Sequence, residues 1–275
     1  MKYLNLGCGT RCLDNWINID FIKSRKGVIA HNLLKGIPYP DEYFDVVYSS
    51  HVLEHFNKKQ GEFFIKECFR VLKKNGVLRI VVPDLEQIVK SYINQLELAR
   101  NEENEIKHEN YSWSVLELFD QTVREFSGGQ MKEIWSKSTI INESFIIERV
   151  GNEFVDYRTN LLNERKLTSS LKFHYFKKLT EFVISKVKKI LNQLIKKIKI
   201  FEEIKIGKFR LGGEVHKWMY DSYSLGHLLK SKKFKRVIKS DAFGSVIPDW
   251  ELHQWLDVEN GVVRKPDSLF MEAIK

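Results

Sequence analysis

Short apolar runs alternate with helical patterns over the first 90 residues of the chain. Five of these runs have the length and apolar density of buried strands: KYLNLG, WINIDF, GVIAHNL, YFDVVYSS and VLRIVVPDL. Before the last of them, KKQGEFFIKECFRVLKKNG predicts an amphipathic helix that ends at Gly76. Alternation of strands and helices predicts a doubly wound, mostly parallel α/β sheet.

The pattern changes between residues 85 and 212, where long polar–apolar helical repeats replace the strands. A helix and a strand return in YDSYSLGHLLKSKKFKRVIKSD, and DSLFMEAIK supplies a last strand. We therefore predict one α/β core, residues 1–90 plus 213–275, with residues 91–212 as a helical insertion after the fifth strand. Such an insertion is expected to cover the carboxyl ends of the strands, where open α/β sheets bind their ligands.

The composition is that of a globular protein, with 43% hydrophobic and 12% aromatic residues. Three cysteines without disulfide-framework spacing are typical of a reducing compartment. We find neither a signal-peptide pattern nor an apolar run near the roughly 20 residues that span a membrane. We therefore expect a soluble, cytoplasmic protein.

The formal net charge of +9 comes from one segment. Residues 171–210 contain 12 of the 45 Lys and Arg residues but only 3 of the 36 Asp and Glu residues, so the other 33 of each sign cancel. A neutral body argues against a nucleic-acid partner. Within the segment, residues 177–201 predict a basic amphipathic helix. Such a helix can pack on its own core, contact the inner face of an anionic membrane peripherally, or join copies in a homo-oligomer.

Two glycines, Gly7 and Gly9, follow the first strand, and Asp20 ends the second. Glycines there permit a tight turn and close backbone approach to a ligand, and a carboxylate at Asp20 can accept both hydroxyls of a ribose. A P-loop is excluded because no Gly-Lys-Ser/Thr follows. A dinucleotide fold requires a third glycine where Cys12 stands. The pattern best fits a nucleoside ligand without a pyrophosphate, such as S-adenosylmethionine.

Several stretches of this chain resemble the class I S-adenosylmethionine-dependent methyltransferases. They are LNLGCGTR, NWINID, IPYPDEYFDVVYSSHVLEHF, RVLKKNGVLRIVVPDLE, VREFSGGQM, GEVHKWMYD and RKPDSLFMEAIK. The chain is most similar to a type-11-like bacterial branch found with surface-polysaccharide biosynthesis. The resemblance implies a Rossmann-like, seven-stranded methyltransferase fold and an acceptor that is a small molecule or a glycan.

The resemblance also implies which residues bind the cofactor. It assigns Gly7, Cys8 and Gly9 to the methionine end and Asp20 to the ribose. Asn32 corresponds to a position near the adenine amino group, and Ser50 and His51 lie beneath the sulfonium. Asn5 stands where many relatives outside the branch carry an acid, and Asn32 is likewise an amide rather than an acid. Both amides still form hydrogen bonds, so altered affinity rather than lost binding is expected.

A hydroxyl acceptor needs a general base in addition to alignment with the methyl donor. Three candidates lie near predicted strand ends or in an aromatic cluster: His51, Asp84 and His216. Each has a structural alternative, because His51 can shape the cofactor floor and Asp84 can cap the next helix. His216 lies two residues after Glu214, and the Glu214 carboxylate could orient the imidazole of His216. An O-methyltransferase is the expected enzyme.

Two further stretches supply candidate acceptor-binding residues. VREFSGGQMKEIW combines Arg124, Met131 and Trp135, and the arginine is suited to an anionic group such as a phosphate. GGEVHKWMYD adds Glu214, Trp218 and Tyr220. A helix–turn–helix with a solvated arginine is an equally good interpretation of the first stretch by spacing alone.

The stretch SSHVLEHF permits a different interpretation. His51-x-x-Glu54-His55 spells the H-x-x-E-H pattern of inverted zinc proteases, which would need a third ligand such as Glu125 or Glu133. Because the motif follows a buried strand, a glycine loop and a ribose acid, we favour the methyltransferase and expect no metal. A zinc metallohydrolase, an RNA methyltransferase and a noncatalytic cofactor-binding relative remain the alternatives.

Overall fold

A seven-stranded sheet forms the centre of the protein. We describe it from a computed structural model that covers residues 1–170 and 199–275. The strand order is β3-β2-β1-β4-β5-β9-β6, and all neighbours are parallel except that β9 runs antiparallel to β5 and β6. The strands are β1 (Tyr3–Leu6), β2 (Ile17–Asp20), β3 (Val28–Ala30), β4 (Phe44–Ser50), β5 (Leu72–Pro83), β6 (Arg236–Ser240) and β9 (Ser268–Ile274). This confirms the predicted doubly wound, mostly parallel fold.

Eight α-helices are described, and most of them lie between β5 and β6. They are α1 (Lys58–Val71), α2 (Leu85–Asn101), α3 (Glu105–Val123), α4 (Gly129–Trp135), α5 (Glu143–Val150), α6 (Asn152–Ser170), α7 (Lys199–Leu211) and α8 (Ser222–Ser231). A separate two-stranded ribbon, β7 (Val258–Glu259) with β8 (Val262–Val263), precedes β9.

The first helix, α1, begins at a capping box and ends earlier than the sequence predicts. Asn57 accepts from Gln60 N, and the Gln60 side chain accepts from Asn57 N, which satisfies two free backbone donors. The prediction that Gly76 closes this helix was wrong. The helix ends at Val71, and Gly76 lies inside β5 directly after Asn75, whose φ of 65° turns the strand.

Apolar side chains cover both faces of the sheet, as the continuous apolar runs of β4 and β5 require. Leu6, Phe64 and Leu78 belong to the cluster on one face, and Trp16, Val81 and Trp250 belong to the cluster on the other.

The helices after β5 have a core of their own. Its buried residues are Trp113, Met131, Trp135, Ile146, Val150 and Phe154, contributed by α3 to α6. A separate core is the property expected of an insertion, although the proposed boundaries at residues 91 and 212 stay a prediction.

Within the described ranges, no helix has the length and apolar character needed to cross a membrane. Of the predicted basic amphipathic helix, residues 177–201, positions 177–198 lie outside the described residues and positions 199–201 begin α7.

Candidate functional site

Two cavities meet at the carboxyl edge of the parallel strands. The glycine-loop cavity has a volume of about 170 Å³ and is lined by Asn5, Gly7, Cys8, Gly9, Thr10, Arg11, Tyr48, Ser50, His51, Arg264 and Lys265. The helical cavity has a volume of about 360 Å³ and lies between this edge and helices α3, α4 and α6. His51 and Lys265 line both cavities. These two residues therefore form a wall that the two cavities share.

The glycine loop is held in place by the end of β2. Gly7 has a φ of +67°, and a Cβ added to it would lie 2.1 Å from Cγ2 of Val52, so no other residue fits without displacement. Gly9 N donates to Oδ2 of Asp20 at 2.8 Å, and Ile22 N donates to Oδ1 at 3.1 Å. The Asp20 carboxylate is thus fixed beside the loop.

The predicted cofactor residues divide into those that line the cavity and those that support it. Asn5 does both, because its amide donates to the Arg11 carbonyl at 2.7 Å and to Asn18 Oδ1 at 3.1 Å. Asn32 lies outside the lining, and its side-chain oxygen caps a short 3₁₀ helix by accepting from Leu34 N at 2.9 Å. Asn32 thus has a local structural partner and lies in the lining of neither cavity.

His51 follows β4 in a left-handed backbone conformation, with a φ of 53°. Nδ1 lies 3.1 Å from Oε1 of Glu54, and Nε2 lies 3.0 Å from the Ser268 hydroxyl. Burial and the charge of Lys265 lower the pKa of His51 against the opposing effect of Glu54. Both ring nitrogens are engaged, so the imidazole is positioned from two sides.

Six predicted residues come together at the helical cavity: His51, Arg124, Met131, Trp135, Glu214 and His216. Trp218 and Tyr220 do not line it. Trp218 is 42% exposed, and the carbonyl of Tyr220 accepts from Leu85 N at 2.9 Å at the start of α2.

Asp84 also lies outside both cavities. Its carboxylate is fully buried and caps α2, accepting from Glu86 N at 3.1 Å and from the Gln87 side chain at 3.3 Å. A carboxylate committed to a helix terminus is poorly placed to take a proton from an acceptor. Asp84 is therefore the N-cap of α2, and its role as a general base stays a prediction.

Arg124 is already neutralised by acids of this protein. Its guanidinium contacts Asp120 at 2.7 Å and Glu214 at 3.2 Å. The expectation that Glu214 orients His216 is not met, because Glu214 instead accepts from Gly128 N at 2.8 Å and pairs with Arg124. The pair braces the turn before α4.

His216 is buried beside a second histidine. Its ring packs edge-on against His55 with centroids 4.9 Å apart, and its backbone N donates to the Gln121 carbonyl. Burial lowers the pKa of His216 to about 3, against the attraction of Glu54 and with the help of His55 and His51. A base of such low pKa retains a proton poorly near neutrality, which disfavours His216 as the general base.

Four charged residues of the helical cavity were not predicted from the sequence: Lys132, Glu153, Lys265 and Asp267. Lys265 pairs with Glu153 at 3.1 Å, and Asp267 lies near them. Burial and the charge of Glu117 raise the pKa of Asp267 to about 7, despite Lys265 and Arg149. Lys265 and Asp267 reach the edge because antiparallel β9 begins there, with Ser268 paired to Pro83. The stretch RKPDSLFMEAIK was recognised in the sequence, but the direction of its strand was not.

Part of the chain is similar to a known protein family. A family model described as a methyltransferase domain matches residues 21–80, about a fifth of the chain. No curated protein matches the sequence. The strand order, with its one antiparallel strand, and the matched segment lead to the same conclusion. The fold is the Rossmann-like methyltransferase fold. The cofactor is S-adenosylmethionine.

Three solved structures illustrate how far the overall likeness extends. A SAM-dependent methyltransferase from Archaeoglobus fulgidus aligns with 100% of this chain and 86% of its own at 12% identity, with a TM-score of 0.40. A possible histamine N-methyltransferase from Thermotoga maritima covers 100% and 82% at 10% identity and a TM-score of 0.38. An S-adenosylmethionine-dependent methyltransferase from Mesorhizobium loti covers 100% and 90% at 11% identity and a TM-score of 0.38.

Proposed function

We propose that this protein transfers a methyl group from S-adenosylmethionine to an oxygen of a small-molecule or glycan-type acceptor. The observation that carries the proposal is the shared wall of the two cavities, formed by His51 and Lys265. A donor held at the glycine loop and an acceptor held among the helices would meet at that wall. In-line transfer requires this kind of adjacency, because the reacting atoms must approach to about 3–3.5 Å.

The glycine-loop cavity suits the cofactor by its own chemistry. Gly7 and Gly9 line it without side chains, and the loop is tied to Asp20, whose carboxylate is suited to ribose hydroxyls. The sulfonium supplies an activated methyl group when the cofactor is bound. The protein's own residues then have two tasks, which are to align the acceptor and to handle its proton.

We assign to Asp267 the role of the general base that removes the proton of the acceptor hydroxyl. A carboxyl group with a pKa of about 7 is ionised in a large fraction at neutral pH and is still basic enough to retain a proton. Asp267 lines the helical cavity, whereas Asp84 does not. Of the three bases predicted from sequence, His51 retains a role as a positioning group at the shared wall.

The lining of the helical cavity supports a polar, uncharged or weakly charged acceptor. Acidic and basic side chains alternate around it, including Glu153, Glu214, Lys132 and Lys265. Trp135 and Tyr157 add aromatic surface, with Tyr157 held by a 2.7 Å hydrogen bond to Ser136. Aromatic faces with many hydrogen-bonding groups suit a sugar. A place in surface-polysaccharide biosynthesis is the proposal that follows.

The helices after β5 would serve as the cap over the acceptor. Gln121 on α3, Met131 on α4 and Glu153 on α6 all line the helical cavity, which supports this role. Peripheral membrane contact through residues 177–201 and homo-oligomerisation remain proposals, and co-sedimentation with anionic and neutral liposomes tests the first.

The test is a screen for S-adenosylhomocysteine release. Purified protein with S-adenosylmethionine is supplied with nucleotide sugars, phosphosugars and lipid-linked glycans. Product mass shows the added methyl group, and two-dimensional NMR identifies the methylated atom. Release with one acceptor class, lost in Asp267→Asn, is the expected result. Calorimetric titration that detects no binding of S-adenosylmethionine or S-adenosylhomocysteine would overturn the proposal.

A further inference from the structure

Glu54, His55 and His216 form a cluster at the wall of the helical cavity. One potential ligand atom from each residue lies within 4.8 Å of those of the other two. Glu54 and His55 belong to a short 3₁₀ helix after β4, whereas His216 comes from the segment between α7 and α8. The two segments are tied together because the backbone N–H groups of Lys217 and Trp218 donate to the Glu54 carbonyl at 2.7 and 3.2 Å.

Each residue of this cluster has a buried polar atom without a hydrogen-bond partner among the described residues. The Glu54 side chain is fully buried, and apart from the contact of Oε1 with His51 its carboxylate has no hydrogen bond. Nδ1 of His55 and Nδ1 of His216 are also buried without a partner, and His216 is only 9% exposed. A buried carboxylate that is incompletely satisfied is costly, and three such groups facing one another need a common occupant.

We propose that Glu54, His55 and His216 bind one divalent transition-metal ion of the zinc class. The ligands would be two imidazoles and one carboxylate, a set that is common at zinc sites. Magnesium and calcium prefer oxygen ligands and do not suit this set. Three protein ligands leave a fourth position open, as in catalytic zinc sites. Since all three residues line the helical cavity, that open position faces the space assigned to the acceptor.

This proposal departs from the expectation of no metal. It also gives the residues of the H-x-x-E-H motif other roles than they have in the inverted zinc proteases. His51 is not a ligand. It contacts Oε1 of Glu54 at 3.1 Å and is held on its other side by Ser268. An imidazole in this position orients a carboxylate ligand from outside the coordination sphere. The third ligand, His216, is 161 residues further along the chain than His55 and lies in none of the sequence patterns for zinc.

Metal binding is tested directly on tag-free protein that has been treated with a chelator. Titration with Co²⁺ followed by visible absorption, and calorimetry with Zn²⁺, should each show one saturable site. Glu54→Gln, His55→Gln and His216→Gln should each weaken binding by more than about 100-fold, since losing even an outer partner of a ligand costs about 10- to 100-fold. His227→Gln, an exposed histidine on α8, is the matched control and should bind as the unaltered protein does.

Thermal unfolding covers the case in which one variant folds poorly. Zn²⁺ should raise the Tm of the unaltered protein and of His227→Gln, because an ion that binds only the folded state stabilises it. It should not raise the Tm of any ligand variant that circular dichroism shows to be folded. Absence of a saturable site in the unaltered protein would overturn the proposal and leave buried water as the occupant. A thiolate-to-cobalt band, which would indicate Cys8 and Cys12 instead, would overturn it as well.

These outcomes are separate from the test of the proposed function. The metal site stands or fails on stoichiometry and affinity, with no acceptor present. Methyl transfer without metal binding would remove only the metal site, and metal binding without recognition of the cofactor would remove only the methyltransferase proposal.

Discussion

The imidazole of His51 lies 3.1 Å from the carboxylate of Glu54, and the same imidazole separates the glycine-loop cavity from the helical cavity. A hydrogen bond to Ser268 at 3.0 Å holds the ring from the other side. The residue also has a positive φ of 53°, a conformation that is costly for a side chain of this size. Three constraints thus fix one ring at the point where methyl donor and acceptor are proposed to meet.

The first prediction concerns this ring. His51→Asn should fold normally, because asparagine tolerates a left-handed backbone better than most residues do. Turnover should fall by about 100-fold or more, since a displacement of about 1 Å at the reacting groups costs that much. Steady-state kinetics with the acceptor found in the screen measures it. Ser268→Ala removes one support of the ring and should cost less; equal rates for His51→Asn and the unaltered protein would exclude a positioning role.

The second prediction compares two glycines of one loop. A Cβ on Gly7 would lie 2.1 Å from Val52, whereas a Cβ on Gly9 would meet nothing within 4 Å. Gly7→Ala should therefore weaken S-adenosylhomocysteine binding by more than tenfold, because overpacking displaces the loop. Gly9→Ala should introduce only backbone strain, of about 1–2 kcal/mol, without a steric clash. Calorimetric titration of both variants, and of Gly7→Ala with Val52→Ala, which should recover affinity, separates crowding from strain.

The third prediction concerns the pH dependence of turnover. With a pKa of about 7, Asp267 should give a rate that rises with pH through neutrality and then levels off. In Asp267→Asn the rise of the rate with pH should be absent, and the rate should be lower by about 10²- to 10⁴-fold. Asp14→Asn, at an exposed acid, should leave the profile unchanged. A rising limb that survives in Asp267→Asn would assign the base to another residue.

The same carboxyl should reveal itself in stability. Its folded pKa lies above the ordinary value near 3.9, so its contribution to stability is complete below about pH 4 and declines as pH rises through about 7. Asp267→Asn lacks this titration. The variant should therefore unfold at a higher urea concentration than the unaltered protein at pH 8, and the difference should disappear at pH 4.

The fourth prediction concerns a buried arginine of β5. Arg79 is fully buried and pairs with Asp257 at 2.9 Å and Glu272 at 2.8 Å. Arg79→Met should lower the free energy of unfolding by about 3–5 kcal/mol, because both carboxylates would remain buried without their cation. Urea denaturation measures the loss. Lys90→Met, which breaks an exposed ion pair, should leave the midpoint unchanged, and adding Asp257→Asn and Glu272→Gln to Arg79→Met should recover part of the stability.

Local patterns in the sequence determined the elements of the sheet and the glycine loop. Buried parallel strands read as continuous apolar runs, and a turn with positive φ at Gly7 needs a residue without a Cβ, so both signals lie within a few consecutive positions. The resemblance extended this to His51 and Ser50 at the end of β4. The boundary of α1 was misplaced at Gly76, because the polar residues Lys73, Lys74 and Asn75 follow the first residue of the next strand.

The tertiary structure alone decided which chemical groups meet. Asp267 and Lys265 reach the cavity because β9 runs antiparallel and starts where the parallel strands end. Glu54 and His55 meet His216 because the segment after α7 is tied to the Glu54 carbonyl through the N–H groups of Lys217 and Trp218. Arg124 meets Glu214, which lies 90 residues further along the chain. Such contacts join positions far apart in the chain, and packing in three dimensions, which no local period encodes, selects among them.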